Sequence, residues 1–255
     1  MLKKWSLLFL FVSLFSVPLT RSSAEDSAVP DKDGFVSIFN GKNLDGWAGN
    51  PAIWSVEDGC ITGATGESGD NKLTYNQFLI WRGGEVEDFV ITFDIKLTKG
   101  GNSGMQFRSW EDVDNKKQPY RVYGYQGDFD GDAVHSGILY GENFRGILAQ
   151  RGQETVIGDD HKPKEVKRFA ENEDIKRQIK IEDWNHYEIT AQGFKITEKI
   201  NDVVTSICTD NDTKVRRASG ILAIQAHVGP PMKVQVKNIK LKRLPKEKEA
   251  DSLIP

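Results

Sequence analysis

The side chains best suited to acid and base chemistry lie near two strand-like stretches, YGYQGDFDG and ILAIQAHVGPP. Asp128 and Glu142 could supply the pair of carboxyl groups that cleaves a glycosidic bond, although the sequence does not give their separation. His227 closes the second stretch, and an imidazole there could transfer protons near neutral pH. A lone histidine is more often structural, so both interpretations of His227 stay open.

Polar side chains alternate with apolar ones along these stretches and along GGNSGMQFRS, as in strands with one polar face. Two interpretations remain, a sugar-sized polar site and an ordinary solvated face. The site requires a cleft edged by residues 63–72 or 127–136, in which Arg108 holds Asp128 ionised or faces it. The predicted polar face comprises Asn102, Gln106, Arg108, Gln126, Asp128, Gln225 and His227. The residues predicted to point into the core are Met105, Phe107, Ile224 and Ala226.

Other chemistry finds little support in the sequence. The string DFDGD at residues 128–132 is similar to a calcium loop, but Leu139 stands where the closing glutamate belongs, which favours a plain acidic turn. No serine lies in a nucleophile-elbow pattern, and no glycine-rich phosphate loop is present. The net charge of −3 is spread without a basic stripe. We therefore expect no nucleic-acid partner.

The elements that must position these groups are strands. FVITFDIKL at residues 89–97 alternates strictly, and further short alternating stretches with turn residues between them predict a two-layer antiparallel sandwich. Asn201 and Asp202 predict a hairpin turn, and a break in alternation at residues 237–238 predicts a bulge. The charged residues 158–183 predict a short surface helix, capped by Asn172, between strands.

The ends of the chain predict export. Residues 1–24 combine a basic start, an apolar run and small residues, as in a signal peptide, although an uncleaved anchor is the alternative. Residues 25–33 would be a linker, 34–244 one domain and 245–255 a polar tail. We expect a periplasmic or extracellular protein without a membrane span after cleavage. Cys60 and Cys208 could form a disulfide there or remain buried thiols.

Six motifs, in order, carry a resemblance to a known family. They are FNGKNLDGW, GGNSGMQFR, GYQGDFD, SGILYGENFRG, WNHYEI and IQAHVGPPMKVQVKNIKLKRL. Residues 34–244 thereby resemble the 3-keto-disaccharide hydrolase family of exported bacterial proteins. The resemblance implies a concanavalin A-like jelly roll with a sugar site. It also assigns site roles to Asn102, Ser103, Gly104, Arg108, Gln126, Asp128, Tyr140, Glu142, Gln225 and His227.

The chain departs from the family at two positions. Asn201-Asp202 replaces an Asn-Gly turn, and Gly124 stands where many members have glutamate, which leaves Asp128 or Glu142 as the acid. The resemblance implies cleavage of glycosides whose third sugar carbon is a ketone. His227 would then be the base, Arg108 and Gln126 would stabilise the enolate, and Asn102, Gln106, Tyr140 and Gln225 would bind the sugar. The sequence leaves a divalent cation undecided.

A carbohydrate-binding module without turnover is the alternative function, since the same fold and polar face would serve it. Sugar rings stack on aromatic side chains, but buried aromatics usually belong to a core. The aromatic candidates are Trp47, Trp54, Trp81, Trp110 and Tyr140.

Overall fold

Residues 29–245 are described by a computed structural model, in which they form two β-sheets packed face to face. The predicted signal peptide and residues 246–255 of the predicted tail lie outside the described residues. Almost every strand pair is antiparallel, and residues 154–157 form a parallel pair with residues 207–210. The predicted all-β jelly-roll sandwich is confirmed.

The larger sheet has ten strands in the order β12-β11-β15-β14-β13-β6-β17-β4-β3, with β1 paired to β17. Its strands are β1 (Val36–Ser37), β3 (Trp54–Glu57), β4 (Cys60–Ala64), β6 (Phe89–Leu97), β11 (Gln153–Ile157), β12 (Pro163–Arg168), β13 (Asn185–Gln192), β14 (Lys195–Ile200), β15 (Val203–Asp210) and β17 (Lys233–Arg243).

The smaller sheet has seven strands in the order β10-β9-β8-β7-β16-β5-β2. Its strands are β2 (Trp47–Ala48), β5 (Gln77–Trp81), β7 (Asn102–Glu111), β8 (Val122–Asp130), β9 (Leu139–Glu142), β10 (Gly146–Ala149) and β16 (Ile221–Ala226). The neighbours β16, β7 and β8 are the strands that carry most of the predicted polar face.

Apolar side chains from both sheets form one core. Every second residue of β6, from Phe89 to Leu97, is buried, as its strict alternation predicts. Phe93 stacks on Tyr187 of β13 with ring centroids 5.1 Å apart, which adds packing energy to their burial. The four residues predicted to point into the sandwich are buried in this core: Met105, Phe107, Ile224 and Ala226.

The charged segment 158–183 differs from its prediction. A short helix, α1 (Asn172–Lys176), is present, but its N-cap is Glu171, and the Asn172 side chain instead accepts a 2.7 Å hydrogen bond from Arg151. The segment also contains the edge strand β12, whose residues are all exposed. A strand without a buried face has no apolar alternation, so the sequence pattern could not reveal it.

Two predicted backbone features are confirmed. Asn201 and Asp202 have φ values of 50° and 66°, as expected for a tight hairpin turn between β14 and β15. The register of β17 shifts between Lys237 and Lys240, and Asn238 has a φ of 53°, which is the predicted bulge.

Cys60 and Cys208 are both buried and both free, so the alternative of two buried thiols is the one observed. Burial raises the pKa of the Cys208 thiol to about 12. Across residues 29–245, no helix has the length and apolar character needed to cross a membrane.

Candidate functional site

A cleft of about 460 Å³ lies on the face of the seven-stranded sheet that carries the polar side chains. The predicted site residues that line it are Asn102, Gln126, Asp128, Tyr140, Glu142 and His227. His227 follows directly on the last residue of β16 and is half-buried. Strands β8 and β9 thus bring two carboxyl groups to the same cleft as the His227 imidazole, which follows β16.

Gln106 and Gln225 lie beneath the cleft and do not line it, which corrects their predicted role in binding sugar. Both are fully buried. Gln106 donates a 2.7 Å hydrogen bond to Gln126 Oε1, and Gln225 Oε1 accepts one of 3.3 Å from Gln126 Nε2. They therefore hold the Gln126 amide rather than a ligand.

Gln126 has no N–H left for a ligand. Its Nε2 donates to Asp128 Oδ1 at 3.1 Å as well as to Gln225. An amide nitrogen has two hydrogens, so both are used inside the protein. Its amide therefore orients the Asp128 carboxyl group, and the stabilisation of an enolate by Gln126 stays a prediction.

Asp128 is a buried carboxyl group whose proton is held at neutral pH. Burial, the largest cause, raises its pKa to about 8 together with the nearby carboxyl groups of Asp130 and Glu142, against the opposing hydrogen bond from Gln126. The hydrogen bond to Oδ1 leaves Oδ2 as the atom that can carry the proton. Asp128 is therefore equipped to act as an acid at pH 7.

Arg108 does not reach the cleft, which corrects its predicted role and its predicted effect on Asp128. Its Nη2 lies 2.9 Å from Asp88 Oδ1, and its Nε donates a 2.8 Å hydrogen bond to the Glu87 carbonyl. Burial lowers the pKa of Arg108, against the opposing charge of Asp88. Within residues 29–245 no ion pair to Asp128 is present, and its pKa rises where the prediction required ionisation.

A β-bulge explains the error. The pairing of β7 with β8 shifts between Phe107 and Trp110, and Arg108 has a φ of 45°. A bulge inserts one residue on one strand, so the alternation of faces changes there. Residues up to Phe107 keep their predicted faces, and Arg108 does not.

Gly124, the second departure from the family, makes room for Ser109. A Cβ at Gly124 would lie 2.3 Å from Ser109 Oγ, and the φ of Gly124 is 138°. Ser109 Oγ donates to Gln106 Oε1 at 2.8 Å and so extends the amide network beneath the cleft. A glutamate at position 124 would collide with this hydroxyl group.

Glu142 is held by two amides that sequence analysis did not single out. Its Oε1 accepts hydrogen bonds from Asn76 Nδ2 at 2.9 Å and from Asn143 Nδ2 at 2.8 Å. Both asparagines line the cleft. Two N–H donors on one oxygen fix the position of the Glu142 carboxyl group at the edge of the cleft.

The turn after β8 borders the cleft through His135, as predicted for residues 127–136. Asp130 organises this turn by accepting backbone hydrogen bonds from Asp132, Val134, His135 and Ser136. The DFDGD string is thus an acidic turn. No residue of the loop 63–72 lines the cleft.

The predicted aromatic platform is largely absent from the cleft. Trp47, Trp54 and Trp81 are buried in the core, and Trp110 stacks on Tyr123 outside the cleft lining. Tyr140 does line the cleft, and burial raises the pKa of its hydroxyl group, as do the nearby Glu142 and Asp128.

Three further lining residues, Ile138, Phe144 and Ile147, form an apolar side of the cleft that sequence analysis did not identify. Phe144 and Asn143 belong to the SGILYGENFRG motif, which could have indicated them. Asn76 had no such signal, because its neighbours in space come from distant strands.

Among residues 29–245, no three His, Cys, Asp or Glu side chains are grouped so that they could hold a metal ion. The described residues therefore offer no set of three such ligands for a divalent cation. A requirement for a cation stays a prediction.

The jelly-roll fold is shared with other bacterial proteins. A candidate glycosyl hydrolase from Parabacteroides distasonis superposes with a TM-score of 0.54 at 19% identity, covering 86% of this chain and 99% of that one. A protein of unknown function with a galectin-like fold from Bacillus subtilis gives 0.53 at 9% identity, covering 80% and 92%. At these identities the likeness shows the fold alone.

Residues 34–242 match the 3-keto-alpha-glucoside-1,2-lyase-like domain, and the chain belongs to that family. It is also similar to a 3-keto-disaccharide hydrolase from Bacteroides thetaiotaomicron, with 31% identity over 103 residues. That match covers 38% of this chain and 35% of the relative, so the chain matches about a third of the relative's length.

Proposed function

We propose that the protein cleaves 3-keto-glycosides by elimination followed by addition of water. The observation that carries this function is the cleft in which the buried Asp128, whose pKa is raised to about 8, meets Glu142 and the half-buried His227. A carboxyl group with a raised pKa, with an imidazole beside it, can serve acid and base catalysis. Membership of the family supports a keto-sugar as the substrate.

His227 would act as the base. A ketone at the third sugar carbon acidifies the hydrogen at C2, and the imidazole removes it as a proton. The electrons of that C–H bond form an enolate with the ketone. Asn102 and Tyr140 line the cleft and carry N–H and O–H groups that could stabilise the enolate oxygen, in place of Arg108 and Gln126.

Asp128 would act as the acid. The enolate re-forms the ketone as a C1=C2 double bond forms and the C1–O bond breaks, and Asp128 Oδ2 gives its proton to the departing oxygen. Water then adds across the double bond: the Asp128 carboxylate takes a proton from the water that attacks C1, and the imidazolium returns a proton to C2. Both side chains end in their starting forms, and the net reaction is hydrolysis.

The direct test is the release of 4-nitrophenol from 4-nitrophenyl 3-keto-glucoside. The wild type should release it, and His227→Ala and Asp128→Asn should each slow release by about 10²–10⁴-fold, the usual contribution of a positioned acid or base. His186→Ala is the matched control, because His186 pairs with Asp94 and does not line the cleft. No release by the wild type would exclude this function, and an undiminished rate in His227→Ala would exclude His227 as its base.

A binding module without turnover gives a different result in the same cleft. Calorimetry would then show saturable binding of unoxidised oligosaccharides while the keto-glucoside stays intact. The cleft favours turnover over this alternative, because Tyr140 alone of the five predicted aromatic candidates lines it.

A further inference from the structure

Asn76 uses both ends of its side chain to join the two parts of the cleft that carry Glu142 and His227. Its Nδ2 donates a 2.9 Å hydrogen bond to Glu142 Oε1. Its Oδ1 accepts a 2.9 Å hydrogen bond from the backbone N–H of Val228, the residue after His227. One half-buried side chain therefore contacts the carboxyl group and the backbone beside the imidazole.

The hydrogen bonds between neighbouring strands of the sheet do not supply these contacts. Asn76 immediately precedes β5, and Glu142 ends β9, while β16, β7 and β8 lie between those two strands. Ladder hydrogen bonds fix each strand only to its neighbours, so the position of Glu142 relative to β5 depends on a contact across three strands. Asn76 provides that contact at the cleft.

The segment that carries His227 also needs a support. β16 ends at Ala226, which pairs with Gln77 of β5, so His227 and Val228 lie beyond the last ladder pair. The Val228 N–H finds its acceptor in Asn76. An imidazole on an unpaired segment can turn away from the substrate, and a misplacement of about 1 Å can cost about 10²-fold in rate.

We propose that Asn76 is a positioning residue that fixes the Glu142 carboxyl group and the backbone beside His227 relative to each other. This role rests on the proposed function of the cleft. Asn76 does not itself exchange protons with the substrate. Its Nδ2 contacts Glu142 and its Oδ1 contacts the Val228 backbone, so it acts through these two partners.

Two substitutions separate the two ends of the side chain. Asn76→Asp keeps the oxygen that accepts from Val228 but places a carboxylate against Glu142 Oε1, and two such groups at hydrogen-bond distance cannot both ionise. Asn76→Ala removes both contacts. Asn143→Ala removes one N–H from Glu142 and leaves the Val228 contact intact.

Asn50→Asp is the matched control. Asn50 is also half-buried and also uses both ends, since its Oδ1 accepts from the Ala52 N–H at 3.0 Å and its Nδ2 donates to Gln77 Oε1 at 3.1 Å. It does not line the cleft. The same chemical change is therefore made outside the site.

The experiment follows the carboxyl carbon signals of Glu142 and Asp128 and the imidazole signals of His227 by NMR across pH, together with release of 4-nitrophenol. In Asn76→Asp, the pKa of one carboxyl group of the new pair should rise toward neutral pH, and the pH profile of 4-nitrophenol release should change. The His227 signals should stay in place. In Asn76→Ala, His227 signals should also move, and kcat should fall by about 10²-fold with KM changing less. Asn143→Ala should move Glu142 signals without moving those of His227.

Wild-type His227 and Glu142 signals in both Asn76 variants, or the same changes in Asn50→Asp, would overturn the role of Asn76. If the wild type releases no 4-nitrophenol, the proposed function fails, and the NMR signals still decide whether Asn76 positions the two residues. Wild-type rates and signals in folded Asn76 variants would remove the positioning role and leave the proposed function in place.

Discussion

Arg108 and Asp88 form a buried ion pair, with Nη2 and Oδ1 2.9 Å apart and the two side chains 1% and 7% exposed. The backbone N–H of Gly193 also donates to Asp88 Oδ1, at 3.0 Å. The pair thus joins β7 to the loop before β6 and to the turn after β13. The Arg108 guanidinium, which was predicted to bind the substrate, therefore has a structural role.

Arg108→Ala should lower the free energy of unfolding by about 3–5 kcal/mol, because removing one partner leaves the other charge buried. Urea denaturation would measure this loss. Arg82→Ala is the control, since the Arg82–Glu111 pair is 43% and 18% exposed and should contribute only about 0–1 kcal/mol. A fully stable Arg108→Ala protein that had lost turnover would instead restore Arg108 to the site.

Asp128 should make the wild type less stable as pH rises. Its pKa is about 8 in the folded protein against an ordinary value of 3.8, so between these values the folded state holds a proton that the unfolded state has released. The stabilisation is complete below pH 3.8 and is lost as pH rises through about 8. Each pH unit in this window costs about 1.4 kcal/mol.

Asp128→Asn removes this titration. Relative to the variant, the wild type should lose stability between pH 5 and pH 9, which chemical denaturation at both values would detect. A difference between the two proteins that is constant across this range would show that Asp128 is ionised throughout.

Gly124→Ala should destabilise the protein through the contact with Ser109, where a new Cβ would lie 2.3 Å from Oγ. Overpacking of this kind costs about 1–3 kcal/mol, in addition to the strain of the backbone conformation. Gly69→Ala separates the two effects, because Gly69 has a φ of 79° and nothing within 4 Å of its Cβ position. It should show the conformational cost alone, about 1–2 kcal/mol. Equal thermal midpoints for the two variants would contradict the steric explanation.

The cysteines should be inert in the folded protein. Burial raises the pKa of both thiols, and Cys60 and Cys208 are free. A thiol reagent should therefore label neither in the native state and both after denaturation, and a reductant should leave the thermal midpoint unchanged. A midpoint that falls on reduction would indicate that the two are paired.

Local alternation predicts faces well where the strand is regular. Met105 and Phe107 point into the core as predicted, and Asp128 and His227 reach one cleft. The predicted face of Arg108, the residue directly after Phe107, is wrong. Arg108 itself adopts the left-handed conformation that changes the alternation, and its side-chain type gives no sign of this. Most non-glycine residues avoid positive φ, so a bulge at an arginine has no reliable signal in a single sequence.

The amides around the carboxyl groups were harder to predict for another reason. Strand alternation places Gln106 on the sheet face that carries the cleft, yet Gln126 covers it. Alternation alone does not distinguish a residue that lines the cleft from one buried beneath the lining. Asn76, which precedes β5, contacts Glu142 of β9 across the three strands that lie between them in the sheet order. Which strands become neighbours depends on the whole topology, so a pattern within one strand cannot bring these two residues together.

The edge strand β12 has a consequence for how copies of the protein meet. Every residue of its sequence PKEVKR is exposed, and such an edge could in principle pair with the same edge of a second molecule. Pro163 has no N–H to donate, and an antiparallel contact of this strand with its own copy would place Lys164 opposite Lys167. This edge of the ten-stranded sheet therefore carries features that oppose the addition of a further strand from a second copy.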